Sequence, residues 1–343
     1  RWVINLRNGA TDAAVFNNIL YNLNPSSVRG TIAALEGSDV GLTSDYNLVD
    51  PRFSTVDGGA AIDLATWQAN TNNDQHSQSL NLESWDSLFR NGGAEEYGLA
   101  VDSVARDSGV NLAFFSGNEI FWKTRWEPSI DGSGQAYRTL VTYKETLANA
   151  NIDPQSPPTW TGTWRDPRFS PPGDGGRPEN QLTGTMFKVN AGTSAIRVPA
   201  EDGKMRFWRN TSIANLSPGT FATLADSTLG YEWDSDFDNG FRPPGLIRLS
   251  TTTESGVDVL LDNGSTYGPG TATHHLTLYK HNSGALVFGA GTIQWSWGLD
   301  INHDRGGSGV ADVRMQQATI NLFADMSAQP ATLQSGLVPA SAS

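Results

Sequence analysis

Apolar residues along the chain come in short runs separated by polar, glycine-rich stretches, and few of the runs repeat at helical spacing. Trp2-Val-Ile-Asn-Leu6 reads as a strand. Ala14, Val15, Ile19 and Leu20 follow at helical spacing and predict a helix, with Thr11 or Asp12 as its N-cap. Residues 25–80 have weak periodicity and predict mostly loop with short elements. The run Gln68 to Ser79 is almost wholly polar and predicts an exposed loop.

The pattern sharpens further on. Leu99, Ala100, Val104 and Ala105 predict a helix over 98–108, stopped by Gly109. Val110-Asn-Leu-Ala-Phe-Phe115 then reads as a strand buried on both faces, as in a parallel sheet. Polar residues just after such a strand lie at its carboxyl end, where open α/β sheets bind ligands. Asn118, Glu119 and Lys123 become candidates by that position. Residues 137–147 predict another strand leading to a polar turn. Residues 151–182 concentrate proline and glycine, and predict a long connection packed through Trp160, Trp164 and Phe169.

From residue 183 the expectation is all-β. Strand-like runs lie at 196–198, 205–208, 257–261 and 276–279, between Gly, Asn and Ser turns. Leu276–Lys280 and Ala285–Gly289 bracket His281-Asn-Ser-Gly284, a hairpin signal. Val310, Val313, Ile320, Leu322 and Phe323 predict a helix within 308–326, and 327–343 reads as a small polar tail. The predicted organisation is an α/β core over 1–150, the connection 151–182, a β-rich extension over 183–326 that returns to the core, and the tail. Asp50-Pro-Arg-Phe-Ser54 recurs as Asp166-Pro-Arg-Phe-Ser170, an echo too short to define a repeated domain.

Composition narrows the function classes. The 343 residues carry a net charge of −13, which argues against nucleic acid as a partner. No stretch approaches 18 consecutive apolar residues, so membrane insertion is not expected. Cysteine is absent, which excludes disulfides, thiolate metal sites and a thiol nucleophile. Charged residues are 17% of the chain, with Asn, Ser, Thr and Gly in their place. That surface fits an extracellular or cell-surface protein, and Asn210, Asn215 and Asn263 head glycosylation sequons. Arg1 opens the chain without a charged-then-apolar leader, and the abrupt ends suggest a piece of a longer chain.

Two segments resemble calcium loops. Asp234, Asp236 and Asp238 alternate before Gly240, and Asp300, Asn302 and Asp304 alternate before Gly306. Alternate carboxylates in a tight loop can converge on one hard cation. Both depart from the EF-hand, with Gly245 and Ala311 at the twelfth position, and an ion-free Asx turn fits them too. Glu232 stands between Tyr231 and Trp233; it is either a partly desolvated general base or the partner of an arginine such as Arg242. His274 and His275 would face opposite sides of a strand, one buried and one exposed.

Several long phrases carry a resemblance. They are Gly109-Val-Asn-Leu-Ala-Phe-Phe-Ser-Gly-Asn-Glu119, Trp160-Thr-Gly-Thr-Trp-Arg-Asp-Pro-Arg-Phe169, Gly230-Tyr-Glu-Trp-Asp234, His274-His-Leu-Thr-Leu-Tyr279 and Gly289-Ala-Gly-Thr-Ile-Gln-Trp-Ser-Trp-Gly-Leu-Asp300. Over about residues 95–325 the chain resembles the family formed by the C-terminal domain of the N,N-dimethylformamidase large (beta) subunit. The resemblance implies a glutamine-amidotransferase-like, flavodoxin-like parallel-sheet core with a large added antiparallel β region. It also implies a mononuclear iron held by two tyrosines and a glutamate, with a histidine and a second glutamate assisting hydrolysis of a small amide. Many relatives are instead domains of large secreted proteins with no known reaction.

Carried over by position, Glu96 is the iron-binding glutamate and Glu232 the second one. The family's histidine is replaced by Ala94, and Tyr21 and Tyr46 are the only upstream tyrosines. Two functions follow. One is a non-catalytic secreted module with a binding or assembly role, braced by calcium; its partners would be other domains of a longer chain, a second copy or surface glycans. The other is a metal-dependent hydrolase of a small amide, using Glu96 and Glu232 with Glu119 as a further catalytic candidate.

Overall fold

A computed structural model describes residues 2–16, 18–20, 22, 28–79, 110–157, 159–170, 176–303 and 310–341. The molecule is mixed α/β, with several parallel and antiparallel sheets and few helices. It divides into two compact units, residues 1–110 with 281–285, and residues 111–280 with 286–343.

The first unit is built from parallel pairs between short strands. Strands β1 (Ile4–Leu6), β4 (Ile32–Ala34) and β7 (Phe53–Ser54) form one sheet. Strands β2 (Ala14–Phe16) and β5 (Thr43–Asp45) form a second. Strands β3 (Ile19–Leu20), β6 (Leu48–Val49) and β8 (Gln78–Ser79) form a third. Every pairing is parallel. The chain therefore winds through three successive coils and lays each beside the last, as a short parallel β-solenoid.

Equivalent positions of the coils stack. Ile4, Ile32 and Phe53 share a register, and so do Leu20, Val49 and Ser79. Ile32, Val49, Phe53 and Trp67 are fully buried in the core between the sheets. Asn18 N–H donates to Asn47 Oδ1 at 2.9 Å, and Asn47 N–H donates to Ser77 Oγ at 2.8 Å, across 29 and 30 residues. A polar ladder thus satisfies backbone donors at the corner between the second and third sheets, where no strand hydrogen bond reaches them.

Two expectations are corrected here. Residues 14–16 and 19–20 are the strands β2 and β3, not a helix, because each pairs with the next coil. The polar run 68–79 is not an exposed loop. It begins in helix α1 (Leu64–Thr71), capped by Asp63, and continues into buried Asn73, Asp74 and Ser77. Asp74 is wholly buried and accepts from Ser44 Oγ (2.9 Å), Asn47 Nδ2 (3.0 Å), Ser77 Oγ (2.6 Å) and Trp67 Nε1 (2.9 Å). Its four donors explain how a carboxylate tolerates burial.

The second unit opens with β9 (Leu112–Phe114). It continues with the hairpin β10 (Arg125–Glu127) and β11 (Thr139–Val141), then α2 (Glu145–Ala148) and α3 (Asn180–Thr183). Strands β12 (Met186–Ala191) and β13 (Arg197–Pro199), helix α4 (Ala200–Gly203) and strands β14 (Phe221–Thr223) and β15 (Trp233–Ser235) follow. The last strands are β16 (Ile247–Arg248), β17 (Thr252–Leu260), β18 (Tyr267–His274), β19 (Thr277–Lys280) and β20 (Leu286–Gly289). Helix α5 (Val313–Asp325) closes the order, capped by Asp312.

Two four-stranded sheets dominate: β15-β12-β17-β18, wholly antiparallel, and β16-β19-β20-β9, in which only β20 and β9 are parallel. The expected β19–β20 hairpin and the expected α5 are present. Trp208, Trp233, Phe288, Trp295 and Met315 fill the core against α5. Strand β9 pairs in parallel as expected, but it is an edge strand and only half buried, not covered on both faces. Residues 206–208 form a 3-10 turn in place of the expected strand; both of its aromatics are buried, and Trp208 Nε1 donates to Leu249 O at 2.7 Å. No helix among the described residues is long and apolar enough to cross a membrane. The predicted helix 98–108 lies outside the described residues.

Candidate functional site

The carboxyl ends of the parallel pair β9/β20 converge on a group of acids. After β9 the chain turns sharply through 115–120. Gly117 is required there: a Cβ would come within 3.0–3.1 Å of the Gly291–Thr292 backbone. Asn118 and Ile120 both take left-handed φ, 58° and 56°. For a β-branched residue such as Ile120 that is a genuine outlier, and such strain gathers at functional sites. Glu119 sits between the two.

The turn is pinned from the facing chain. Asn118 N–H donates to Asp234 Oδ1 at 2.9 Å, and its side-chain amide donates to Glu232 Oε2 at 3.3 Å. Thr185 Oγ1 donates to Asp234 Oδ2 at 2.9 Å. Asp234 N–H bonds Gly291 O at 2.9 Å, which draws β15 against the segment leaving β20. Gly291 has φ 58°, and a Cβ there would meet Asp234 and His274 at 3.3 and 3.4 Å. Three acids from two phrases far apart in sequence, Glu119, Glu232 and Asp234, therefore share one site.

Glu119 and Asp234 have shifted protonation. Burial pushes Asp234 up to about 6, against the opposing pull of the Asn118 and Thr185 bonds. Burial, together with the charge of Asp234, pushes Glu119 up to about 7, against a hydrogen bond from the Ser116 backbone. A carboxyl at that value can take or give a proton near neutrality. His274 is held neutral: burial drives it down to about 4, and its Nε2 donates to Ala290 O at 2.8 Å.

The predicted residues separate into several places. Glu232 is bonded to Asn118, the residue before Glu119, and Glu119 feels the charge of Asp234. Arg242 pairs with Asp236, not with Glu232. Asp234 belongs to the acid site, while Asp236 is held by Arg242, Arg248 and His275. Burial alone would raise the Asp236 carboxyl; the His275 ring and the Arg248 guanidinium outweigh it and hold it below the usual carboxylate range. Asp238 is exposed. Asp234 and Asp236 have different protein partners on either side of the end of the strand at Ser235. Asp300 accepts from Asn302 N (2.5 Å) and Nδ2 (2.6 Å), an Asx turn, and Asp304 lies outside the described residues.

His274 and His275 are both buried, contrary to the expected split, because the chain leaves β18 at His274 and turns a corner before β19. Lys123 is buried and lies 5.9 Å from the Trp164 ring centroid. Glu96 and Tyr21 lie outside the described residues. Tyr46 stacks on His76 at 4.8 Å in the solenoid. Among the described residues, no group of three or more His, Asp or Glu side chains is arranged to hold a metal. The described acids alone do not supply two tyrosines and a glutamate for an iron. Sequence reading named Asn118 by its place just after β9, but not its role in joining the acids, and it missed Thr185, for which the sequence carries no signal.

Comparison with known proteins agrees with the resemblance. No curated protein matched the chain. Residues 94–308, more than half of the chain and all of the acid-site residues, match the family described as N,N-dimethylformamidase beta subunit-like, C-terminal. The chain belongs to that family.

Proposed function

We propose that this protein is a non-catalytic, extracellular or cell-surface binding or assembly module of the N,N-dimethylformamidase-like family. One observation carries the reading. Residues 4–79, upstream of the family segment, are wound into parallel coils. The resemblance puts the iron's tyrosines upstream, and the tyrosine described there is packed against His76. Stacked coils of this kind present long regular surfaces and commonly serve recognition and assembly. Low charge and the absence of cysteine support an extracellular setting. The parallel pair β9/β20, with acids at its carboxyl end, is the part of an amidotransferase-like layout that we read in the second unit.

A second reading rests on a different observation. Glu119, raised to about 7 by burial and the charge of Asp234 in a strained turn, suits a general acid–base in a metal-dependent hydrolase of a small amide. In that case a bound iron would polarise the amide carbonyl, and Glu119 and Glu232 would position water and move its proton.

Elemental analysis of the purified protein and an N,N-dimethylformamide hydrolysis assay separate the two. The module reading expects neither stoichiometric iron or zinc nor turnover. Stoichiometric metal with turnover that is lost in Glu232→Gln would overturn it.

A further inference from the structure

The antiparallel sheet of the second unit carries a groove of about 600 Å³ that no family phrase explains. Its lining includes Lys188 of β12, Phe237 after β15, Arg248 of β16, Thr253 of β17, Thr273 of β18 and His275. In a chain of net charge −13, this groove brings two cations together with one carboxylate, Asp236. That carboxylate is already occupied. Arg248 Nε donates to Asp236 Oδ2 at 3.0 Å, which fixes one edge of the guanidinium. The Arg248 Nη groups have no protein acceptor among the described residues, and the side chain is 45% exposed. A guanidinium held at one edge offers the other as a planar fork, the geometry that receives a carboxylate in two hydrogen bonds.

The remaining lining suits hydroxyls. Thr253 and Thr273 share a hydrogen bond at 2.9 Å across the strand pair. One hydroxyl of such a pair keeps a proton to donate, and both keep acceptor capacity. His275 buries Nδ1 against Asp236, so its ring reaches the groove through the Nε2 edge. Phe237 and Ala272 give the groove an apolar surface. A smaller cavity of about 280 Å³ shares Lys188 and Phe237, but Asp238 and Asp262 also line it, so it does not suit a second carboxylate.

We propose that this groove binds an acidic saccharide, with the sugar carboxylate on the free edge of Arg248 and the ring hydroxyls on Thr253, Thr273 and His275. The proposal rests on the binding-module reading and names its ligand class.

Calorimetric titration of the full chain tests it, using galacturonic acid di- and tetrasaccharides, the neutral galactose counterparts, and inorganic phosphate. The acidic disaccharide and tetrasaccharide are expected to bind with similar affinity, because only the Arg248 groove receives a carboxylate. The neutral sugars should bind about tenfold or more weakly than their acidic counterparts, as for loss of one charged hydrogen-bonded contact. Arg248→Gln should lose about the same factor, and Lys188→Met less. Absence of binding, equal binding of neutral and acidic sugars, phosphate matching the uronates, or unchanged affinity in Arg248→Gln would each overturn the proposal. If Arg248→Gln fails to fold because Asp236 loses a partner, Thr273→Val takes its place. It should weaken uronate binding several-fold, and unchanged affinity overturns the proposal equally. Stoichiometric iron with amide turnover would instead refute the module reading, whatever the sugar titration gives.

Discussion

The two units of this chain hold themselves together differently. In the solenoid, residues that touch are a full coil apart, as Asn18 and Asn47 are, and nearly every pairing is a two- or three-residue parallel contact. In the second unit, long antiparallel neighbours such as β17 and β18 pair over eight positions and meet through a short turn. The first arrangement depends on every coil being seated on the next. The second contains ladders that are locally complete. Single buried polar groups should therefore matter more in the solenoid, and backbone geometry more at the acid site.

The sharpest way to break this comparison is Asp74→Ala. It strands the Trp67 indole N–H and the Asn47 amide inside the coil core. Each buried donor left unsatisfied costs about 1–3 kcal/mol, so the loss should be several kcal/mol. Hydrogen exchange should show protection lost across residues 2–79 and retained in β17, β18 and α5. Loss in both units together would sink the idea that the solenoid is the more fragile construction.

Next in size is Gly291→Ala at the acid site. A positive φ penalises alanine by about 1 kcal/mol, and the added Cβ is crowded by Asp234 and His274; together these should cost about 2–3 kcal/mol. Gly240→Ala is the matched control. Its φ is 81°, but a Cβ there meets nothing within 4 Å, so only about 1 kcal/mol is expected. Urea midpoints of the two variants give the comparison directly. Equal losses would mean that crowding at Gly291 is relieved by local movement.

How much of this was legible in the sequence follows from the same contrast. The second unit announced itself in continuous phrases, and the β19–β20 hairpin and α5 were readable from local pattern alone. Glu119 was found because a strand followed by a polar turn places residues at a carboxyl edge. The solenoid escaped because its repeat lies in the backbone and not in side-chain identity: Ile4, Ile32 and Phe53 stack, yet no motif recurs around them. Its signal was a spacing of 29 to 30 residues between Asn18, Asn47 and Ser77, set among residues of low periodicity. The recurring Asp-Pro-Arg-Phe-Ser phrase was not that repeat. In both copies it encodes a local ion pair, Arg52 with Asp50 and Arg168 with Asp166. Asp74 looked like a loop residue because a buried carboxylate with four donors is indistinguishable, in one dimension, from a solvated one. The partners of Asp236 were not legible for a related reason, since they come from 242, 248 and 275.

Protonation gives a third test. Glu119 has a folded pKa of about 7, above its ordinary value, so the folded state binds a proton that the unfolded state releases between about 4.5 and 7. The second unit should lose stability as pH rises through that window. Asp234 adds a loss of the same sign up to about 6, and His274, lowered to about 4, opposes both below its ordinary value of 6.5. The net slope from pH 5 to 7 is negative. Glu119→Gln should flatten it by on the order of 1–2 kcal/mol, because the side chain is partly screened by solvent. Denaturation at pH 5 and 7 checks the sign. A wild-type protein more stable at pH 7 than at pH 5, with Glu119→Gln unchanged, would remove Glu119 from the buried acid group.

The smallest expected effect separates the two jobs of Asn118. Its left-handed φ of 58° favours asparagine or glycine, while its amide reaches Glu232 at 3.3 Å, a long and weak hydrogen bond. If conformation dominates, Asn118→Gly should cost a few tenths of a kcal/mol and Asn118→Ala about 1 kcal/mol. If the side chain is needed to orient Glu232, glycine and alanine should cost the same. The geometry favours the first ordering, because the shorter contact, 2.9 Å to Asp234, is made by the Asn118 backbone N–H and survives either substitution. Glycine would then leave the turn in place with Glu232 untethered.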